Sequence, residues 1–443
     1  MAKRLLDWTA TETEKAASVS AVTRGLAQAL EPINCAFVEL ERPLIGAPRG
    51  ALAHMPYVAS DMFALPDRAP TCGMGSMRKA LVTGHASILK RLDGAGAVRL
   101  GLTETTALGL DPAGINARRE QPRNPWDVEF APGGASSGAG VAVASGGACL
   151  ALGQDTFGDL RIAAHCLGVT AWKPTRGLLA TDAALVSSPS LATIGLIARS
   201  ARDIERAQPA LLDGEATLPL PIGRVLVFRD VLASAEPRVR KACRDGLDAL
   251  ELAGLMLEQR PGGAAIAAVE RRAMIVQPAE VARSHRALLD AGALDDDIRA
   301  RLAPGLAITD AELAAAIRDH RRLWTDFSDA FFTIADAIAL PVMSLRAPPV
   351  AECDPEQAGF HPHARDAMTA LTRFANYLGL PAVAVPVGLD DRGLPVALQV
   401  VGRPGSDLAL LAIAAHMQEK SAWHGLVPAG VADVVTQGPE LAA

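Results

Sequence analysis

Residues 132–176 read PGGASSGAGVAVASGGACLALGQDTFGDLRIAAHCLGVTAWKPTR, and the fold expected of the chain follows from these residues. The stretch opens with a Gly/Ser-rich loop, continues through a run of small residues, and reaches a second polar loop at 154–161 before it ends in Lys173-Pro174-Thr175. Glycines in such a loop leave backbone N–H groups free to point at one spot, where an anion or oxyanion can be held. No Gly-Lys-Ser/Thr follows the loop, which excludes a phosphate-binding P-loop.

The same stretch resembles the signature of the amidase signature family, whose usual form is PGGSSGGS, a small-residue helix, G-T-D-T-G-G-S-I-R and then G-x-K-P-T. The matching residues are collinear, without an insertion or deletion: Pro132, Gly133, Gly134, Gly138, Gly153, Asp155, Thr156, Gly158, Arg161, Lys173, Pro174 and Thr175. The resemblance continues in R-N-P-W-D at 123–127 and in GLPVALQVVG at 393–402. It implies an α/β fold in which a large, mixed, twisted central sheet is covered by helices on both faces, with Asp155 and Arg161 bracing the second loop.

The catalytic positions of the family are the ones that do not match. Family members use a Ser nucleophile, a Ser with a cis peptide bond and a Lys. The resemblance places the nucleophile position on Asp159, the cis-Ser position on Ala135, and the Lys position on Ser60 within PYVASDMF at 56–63. Asp159 and Ala135 are 24 residues apart, which is the spacing of the family. The resemblance therefore implies that all three members of the triad are replaced.

No other residue type in the stretch restores the family mechanism. A Ser nucleophile needs a base, and the hydroxyl of Ser60 cannot accept a proton at neutral pH. Ser136 and Ser137 are the nearest hydroxyls, and a one-residue backbone shift would bring either of them near the cis-Ser position. Lys79 and Lys90 lie in segments whose family counterparts are structural and on the surface, respectively. A conventional amidohydrolase with a shifted Ser is therefore the least favoured hypothesis.

Asp159 is the informative substitution, because the second loop of the family points backbone N–H groups at the substrate oxyanion. The corresponding ligand-binding or oxyanion residues here are Thr156, Phe157 and Gly158, with Gly133 and Gly134 in the first loop. A carboxylate could accept these donors itself, which would lower its pKa and block the site, or apolar surroundings could raise its pKa and make it an acid/base group. It could also only fill the vacated space, held by Ser60, Ser136 or backbone donors.

These observations leave the function open between two main hypotheses. The first is a repurposed enzyme that acts on a small amide-, carboxylate- or carbonyl-bearing molecule without a Ser nucleophile. In it Asp159 is the acid/base group, and its hydrogen-bonding partners are Ser60, Ser136 and Ser137. The second is a non-catalytic homologue that binds a ligand or a partner enzyme. If the chain is an enzyme, we expect a lined pocket that Asp159 faces. If it is a non-catalytic relative, we expect the pocket to be filled by Met62, Phe63 or Phe157.

Composition limits the partners of the chain. The 443 residues are 50% hydrophobic and 21% charged, with a net charge of −6 and no basic block. This predicts a globular protein that binds a small molecule but neither nucleic acid nor a membrane, and a homodimer or a partner enzyme subunit is a further expectation.

The basic N-terminus reaches Asp7 before an apolar core develops, so no signal peptide is predicted and the cytoplasm is expected. Six widely spaced cysteines, Cys166 among them, predict reduced and buried thiols.

The histidines do not form a convincing catalytic or metal site. His165 follows the second loop within a predicted helix, and a lone histidine there is more often a hydrogen-bonded core residue. His85 precedes a predicted helix and is expected to cap it. His361 and His363 form an H-P-H in a predicted loop without a further ligand. No metal and no cofactor are expected.

The chain is predicted to form one domain over residues 1–443. Its parts are N-terminal helices at 5–40, the signature core at 43–205, a helical excursion at about 264–330, and C-terminal strands and a helix at 337–420. Within these parts, a helix followed by a strand is predicted at 85–102, helical signals run over 9–40 with Pro32 as a stop, and further helices are predicted at 238–253 and 408–420. Strands are predicted at 34–38, 222–227, 337–341, 380–388 and 393–402. Those at 337–341 and 380–388 show no polar alternation, as in strands buried on both faces.

Overall fold

A computed structural model describes residues 16–41, 48–75, 82–116, 121–212, 220–292, 294, 296–361 and 363–431. The strands are β1 (Phe37–Leu40), β2 (Pro56–Ser60), β3 (Val98–Thr103), β4 (Leu150–Asp155), β5 (Thr170–Lys173), β6 (Thr193–Ala198), β7 (Arg224–Phe228), β8 (Met256–Arg260), β9 (Ala337–Pro341), β10 (Ala382–Leu389) and β11 (Pro395–Gly402). The helices are α1 (Ala16–Asn34), α2 (Ser87–Gly94), α3 (Ser137–Ala144), α4 (Asp159–Leu167), α5 (Ala201–Leu211), α6 (Arg229–Ser234), α7 (Pro237–Leu252), α8 (Gly263–Ser284), α9 (Arg286–Asp290), α10 (Asp296–Ala307), α11 (Asp310–Phe327), α12 (Val350–Cys353), α13 (Ala364–Thr369), α14 (Arg373–Tyr377) and α15 (Asp407–Lys420). A π-helical turn at Ser328–Phe332 follows α11 directly.

The described strands form one mixed sheet in the order β1-β3-β2-β4-β6-β5-β10-β11-β9-β7-β8. Parallel pairing joins β2 to β3 and β4, and β7 to β8 and β9. The remaining pairs are antiparallel. The central strands are buried on both faces, because every residue of β2 and β4 is buried. Continuous apolar runs, rather than alternating ones, are the pattern that such strands require.

Helices cover both faces of the sheet, as predicted. Side chains alternate across a strand, so Tyr57 and Ala59 of β2 pack into one apolar cluster and Val58 packs into another. The first cluster includes buried residues of α2, α5, α7 and α15. The second is built by the small-residue helix α3 together with α4. The signature stretch thus supplies both a central strand and the helices that cover it.

The predicted excursion at 264–330 is helical and packs beside the C-terminal half of the sheet. Helix α8 contacts α10, α11 and α14. A third apolar cluster joins these helices to the sheet through Val276, Phe228, Phe327 and Phe374. Aromatic rings make direct contacts there, with the centroids of Phe228 and Phe331 4.8 Å apart. The excursion therefore belongs to the same core rather than to a separate domain.

Two predictions near the N-terminus need correction. The helix predicted from His85 begins at Ser87, and its N-cap residue, Ala86, makes no side-chain capping hydrogen bond. Instead, the backbone N–H of Ser87 donates to Asp182 Oδ2 at 3.1 Å, so His85 is not a cap. The N-terminal helix, for which Pro32 was the expected stop, ends two residues later at Asn34. The strand expected at 34–38 is β1 at Phe37–Leu40. Residues 5–15 lie outside the described part of the chain.

The helices of the described segments lack the combination of length and apolar content that a membrane span requires. A helical span needs about 20 predominantly apolar residues. Within the described residues, no helix has the length and the apolar content for this.

Candidate active site

Three backbone segments bring the family triad positions to one edge of the sheet. Ser60 is the last residue of β2, Asp159 is the first residue of α4 after β4, and Ala135 lies in the turn before α3. Because β2 and β4 are parallel neighbours, their carboxyl ends open onto the same edge. The backbone N–H of Ala135 donates to Asp159 Oδ1 at 3.2 Å, which joins the two loops directly.

The Asp159 carboxylate occupies the backbone donors of this edge. Its Oδ2 accepts the N–H of Thr156 at 2.9 Å and the N–H of Phe157 at 3.4 Å. The N–H of Ala135 binds the other oxygen. The Gly158 N–H points away and donates to Asp155 Oδ1 at 3.0 Å. Thr156, Phe157 and Gly158, expected to bind an oxyanion, therefore donate to side chains of the protein itself. The N–H groups of Gly133 and Gly134 donate to the backbone carbonyls of Ala113 and Pro112.

The environment of Asp159 opposes its ionisation in spite of these hydrogen bonds. Burial is the largest effect and the nearby Asp155 carboxylate is the second, and together they raise the pKa of Asp159 to about 6. The hydrogen bonds from Thr156, Ala135 and Phe157 lower the pKa but do not offset the two larger effects. Asp159 is consequently a buried carboxyl group that titrates close to neutral pH.

Two glycines explain how the loops approach so closely. Gly134 has φ 78°, and a Cβ atom on it would lie 2.0 Å from the carbonyl oxygen of Asp159. Gly158 has φ 110°, and a Cβ atom there would lie 2.2 Å from the hydroxyl oxygen of Thr372. Only glycine fits both the conformation and the space. The first loop therefore packs onto the first turn of α4, while Thr372 covers the second loop from the other side.

The serines predicted to assist Asp159 bind other groups. Ser60 Oγ donates to the carbonyl of Leu152 at 3.2 Å. Ser136 Oγ accepts the backbone N–H of Gln154 at 3.3 Å, and Ser137 Oγ donates to the carbonyl of Gly114 at 3.3 Å. The expectation that these hydroxyls hydrogen-bond to Asp159 is therefore not met, and backbone N–H groups hold the carboxylate instead. The peptide bond between Ala135 and Ser136 is trans.

A buried ion pair supports the second loop, in the way the resemblance implied. Arg161 Nε and Nη2 donate to the two carboxylate oxygens of Asp155 at 3.1 and 3.0 Å, and neither side chain is exposed. Burial alone would raise the pKa of Asp155, but the charge and hydrogen bonds of Arg161, with Lys173 and Asn376, lower it. Lys173 is buried as well, which lowers its pKa to about 7, and its ammonium group donates to the carbonyl of Pro174 at 2.9 Å.

Residues from α14 and its preceding turn complete the site, and the sequence analysis missed them. Thr372 Oγ1 donates to the carbonyl of Phe157. Asn376 Nδ2 donates to the backbone and the carboxylate of Asp155, at 2.8 Å in each case. The Arg373 guanidinium lies 5.2 Å from the centre of the Phe157 ring. The available signal was the polar content of TRFANY at 372–377 beside an apolar strand, but it does not identify the partners.

Within the part of the chain that the structure describes, Asp159 is buried. Asp159 is 5% exposed, and Met62, Phe63 and Phe157 are all buried. A cavity of about 490 Å³ lies near the first loop, lined by residues such as Asp111 and Arg301, and a cavity of about 400 Å³ lies beside the helical excursion. Neither lining includes Asp159.

The remaining candidate residues are structural. His165 Nδ1 accepts the backbone N–H of Ala397 at 3.3 Å, as expected of a core histidine, and burial lowers its pKa to about 4. The rings of His361 and His363 lie 5.9 Å apart, and the described residues contain no cluster of three potential metal ligands. Burial raises the pKa of the Cys166 thiol, and all six cysteines are buried. Lys79 lies outside the described residues.

Comparison with known proteins places the chain among amidases along most of its length. The sequence model of a family described as Amidase matches residues 26–216 and 226–411. The chain is 29% identical to a glutamyl-tRNA(Gln) amidotransferase subunit from Moorella thermoacetica, over 91% of this chain and 89% of the relative. It is 27% identical to a 2-amino-5-chloromuconic acid deaminase of Comamonas testosteroni, over 83% and 82% of the two chains. A crystal structure of an amidase superimposes with a TM-score of 0.80 at 28% identity, covering 95% of this chain and 98% of the other.

Proposed function

The chain belongs to the amidase family, and on that premise we propose that it is a non-hydrolytic member which acts by binding a small molecule or a partner protein. The supporting observation is the Asp159 carboxylate, which accepts the N–H groups of Thr156, Phe157 and Ala135. A substrate carbonyl cannot use donors that are already occupied. An ionised carboxylate at this place would also repel a developing oxyanion, and the loss of even one such donor costs about 10²–10³ in turnover.

The groups that would have to start the reaction are also missing from their places. A Ser nucleophile needs a neighbouring base that accepts its proton. The hydroxyl of Ser60 is bound to the Leu152 carbonyl, and that of Ser137 to the Gly114 carbonyl. Carbonyl oxygens of the backbone do not act as bases at neutral pH. These contacts support a scaffold that keeps the family fold without the chemistry of its triad.

A role within a larger assembly is compatible with this scaffold. The Moorella thermoacetica relative is named as one subunit of an amidotransferase, so members of the family are found as parts of larger enzymes. A chain whose own triad is replaced can still contribute a binding surface or a ligand site to such an enzyme. We therefore include a homodimer or a partner enzyme subunit in the proposal.

A second candidate function is supported by one observation, the pKa of Asp159 near 6. A carboxyl group that titrates close to the working pH is suited to general acid/base catalysis. The substrate would be a small amide-, carboxylate- or carbonyl-bearing molecule. The Comamonas testosteroni relative carries the name of a deaminase of an amino-substituted dicarboxylic acid, which is a substrate of this class.

Ammonia release from a panel of small amides separates these candidates. The purified protein is compared with heat-denatured protein, with Asp159→Asn and with the double variant Ser136→Ala/Ser137→Ala. We expect that the unmodified protein, Asp159→Asn and the double serine variant release no more ammonia than the heat-denatured control. A rebuilt variant, Ser60→Lys/Ala135→Ser/Asp159→Ser, is expected to release a measurable amount of ammonia. Its matched control is Ala135→Ser/Asp159→Ser, which lacks only the lysine.

Each positive result for the unmodified protein has a different meaning. Release that is lost in Asp159→Asn but kept in the double serine variant contradicts the binding proposal and supports the acid/base enzyme. Release that is lost in the double serine variant but kept in Asp159→Asn restores an amidase with a shifted serine. No release from the rebuilt variant would mean that features beyond the three positions have also diverged.

A further inference from the structure

The cavity of about 400 Å³ beside the helical excursion is lined by an excess of positive charge. Arg176 contributes from the loop after β5, while Arg318, His320 and Arg321 contribute from α11. The described residues that line the cavity include no Asp or Glu. Its volume falls within the range of about 300–1,000 Å³ that is typical of sites for small organic ligands.

Arg176 is fixed in the wall of this cavity by its surroundings. Its Nη1 donates to the carbonyls of Ser190 and Tyr377. Its Nη2 lies 3.3 Å from Nε2 of His320. A guanidinium group can only donate, so this ring nitrogen is the acceptor and the imidazole is neutral. Burial, and then the charge of Arg176, lower the pKa of His320, which agrees with this assignment.

The carboxylates around the cavity are bound to other partners. Glu280 attracts Arg176, but its oxygens accept hydrogen bonds from the hydroxyls of Ser188 and Ser190 and from the backbone N–H of Ser190. Asp319 on α11 accepts a hydrogen bond from Arg272 at 2.6 Å. The positive charge of the lining is therefore only partly compensated.

Arg318 and Arg321, two of the three exposed arginines of α11, differ from the third, Arg322. Arg322 is paired with Asp319 and Asp326. For Arg318 and Arg321, by contrast, the described part of the chain supplies no ion pair within 4.0 Å. Both side chains are exposed at the rim of the cavity, where their guanidinium groups are available to a ligand. Two free guanidinium groups one helical turn apart can hold one carboxylate.

The rest of the lining is apolar and aromatic. Val276 of α8 is 1% exposed and Leu191 is equally buried, whereas Ile317 is 44% exposed at the opening. The ring of Tyr377 forms part of the wall, 5.5 Å from the ring of His320. A ligand that fits this surface combines a negative group with an apolar body.

We propose that this cavity is a binding site for a small organic carboxylate, with the acid group held by Arg318 and Arg321 near Arg176 and the apolar body lying against Val276, Leu191 and Tyr377. Arginine is suited to this task because its planar fork binds a carboxylate through two parallel hydrogen bonds. The site goes beyond the proposed function, because none of its residues takes part in the contacts of Asp159.

Isothermal titration calorimetry with matched ligands tests the proposal. The probes are benzoate, phenylacetate and 3-phenylpropionate, each compared with its primary amide at the same ionic strength. We expect at least one carboxylate to bind and its uncharged amide to bind at least about tenfold more weakly, since hydrogen bonds between two charged groups are stronger than those to a neutral group. No binding by any of the three acids at millimolar concentration, or equal binding of acid and amide, overturns the proposal.

Variants on one helix locate the site. Arg318→Gln/Arg321→Gln is expected to weaken carboxylate binding at least about tenfold, and both positions are exposed, so the fold is retained. The matched control is Arg322→Gln, an exposed arginine of the same helix that does not line the cavity. Equal loss in the control means that the acid binds through general surface charge, and this contradicts the proposal. Because ammonia release is not measured, the result is independent of the test on Asp159.

Discussion

A single side chain, that of Asp159, occupies backbone hydrogen-bond donors of the candidate site. Asp159 begins α4, where the first backbone N–H groups of a helix have no partner within the helix and favour negative charge. The carboxylate accepts three backbone N–H groups, those of Thr156 and Phe157 in the loop before the helix and that of Ala135 in the first loop. This explains how an acidic residue is tolerated in a buried place. It does not make the place favourable for the charge, because burial and Asp155 still raise the pKa of Asp159.

The raised pKa of Asp159 predicts a pH-dependent stability. The folded pKa of about 6 lies above the ordinary value of 3.8, so between these values the folded protein retains a proton that the unfolded chain has lost. The free energy of unfolding therefore falls as the pH rises through this window, by about 3 kcal/mol from this group. The free energy of unfolding of Asp159→Asn should therefore rise relative to that of the unmodified protein from pH 4 to pH 6. Above pH 6 the difference between the two proteins should stay constant.

Urea unfolding at several pH values measures this difference. Asp290→Asn, an exposed aspartate on α9, is the control and should show no such trend. A difference that shifts toward the unmodified protein with rising pH would mean that the hydrogen bonds of Thr156, Phe157 and Ala135 stabilise the ionised form more than burial destabilises it.

At the scale of elements, the sequence predicted the strands and helices whose pattern is set by burial. The strand predicted at 337–341 is β9 without a change of bounds, and the helix predicted at 408–420 is α15 with one more residue. Helix ends that depend on a contact with a residue distant in sequence were missed. Helix α2 starts at Ser87 because Asp182, distant in sequence, binds its first turn, and no pattern around His85 contains that information.

Helices α8 and α10 cross at a glycine, which predicts a destabilising substitution. A Cβ atom on Gly305 would lie 1.9 Å from the carbonyl oxygen of Pro278. In an open helix, replacing Gly by Ala stabilises by about 0.5–1 kcal/mol. At this crossing it forces the two helices apart, and overpacking of this kind costs about 1–3 kcal/mol. We expect Gly305→Ala to lower the urea midpoint of unfolding.

Gly94→Ala is the matched substitution, because no atom lies within 4 Å of a Cβ built on this helical glycine. It should leave the midpoint unchanged or raise it slightly. If Gly305→Ala is as well tolerated as Gly94→Ala, the two helices are not in direct backbone contact at this crossing.

At the scale of the molecule, the site depends on contacts between distant parts of the chain. Arg161 binds Asp155 from β4, Asn376 from α14 and Gln399 from β11, the last at 2.9 Å. The resemblance predicted that Asp155 and Arg161 brace the loop. It did not indicate Asn376 or Gln399, because the local sequence shows that a polar residue lies in an apolar segment but not which group it meets. The fold was thus predictable from the family resemblance, whereas the polar partners of the site required the structure.

This network predicts a large and pH-dependent effect of Arg161→Met. Removing the guanidinium leaves the Asp155 carboxylate buried without its counter-ion, which typically costs about 3–5 kcal/mol. Arg161 lowers the pKa of Asp155 below the ordinary 3.8, so the stability it contributes is present above that pH and is lost as the pH falls below it. We therefore expect a larger loss of unfolding free energy at pH 7 than in acid.

The double variant Arg161→Met/Asp155→Asn separates the charge effect from the loss of packing. It removes the buried charge together with its partner, so it should be less destabilised at pH 7 than Arg161→Met alone and should lose the pH dependence. Arg299→Met, which breaks an exposed pair with Asp296, should cost at most about 1 kcal/mol. If the single and double variants are equally unstable at every pH, the hydrogen bonds to Asn376 and Gln399, and not the ion pair, hold the loop in place.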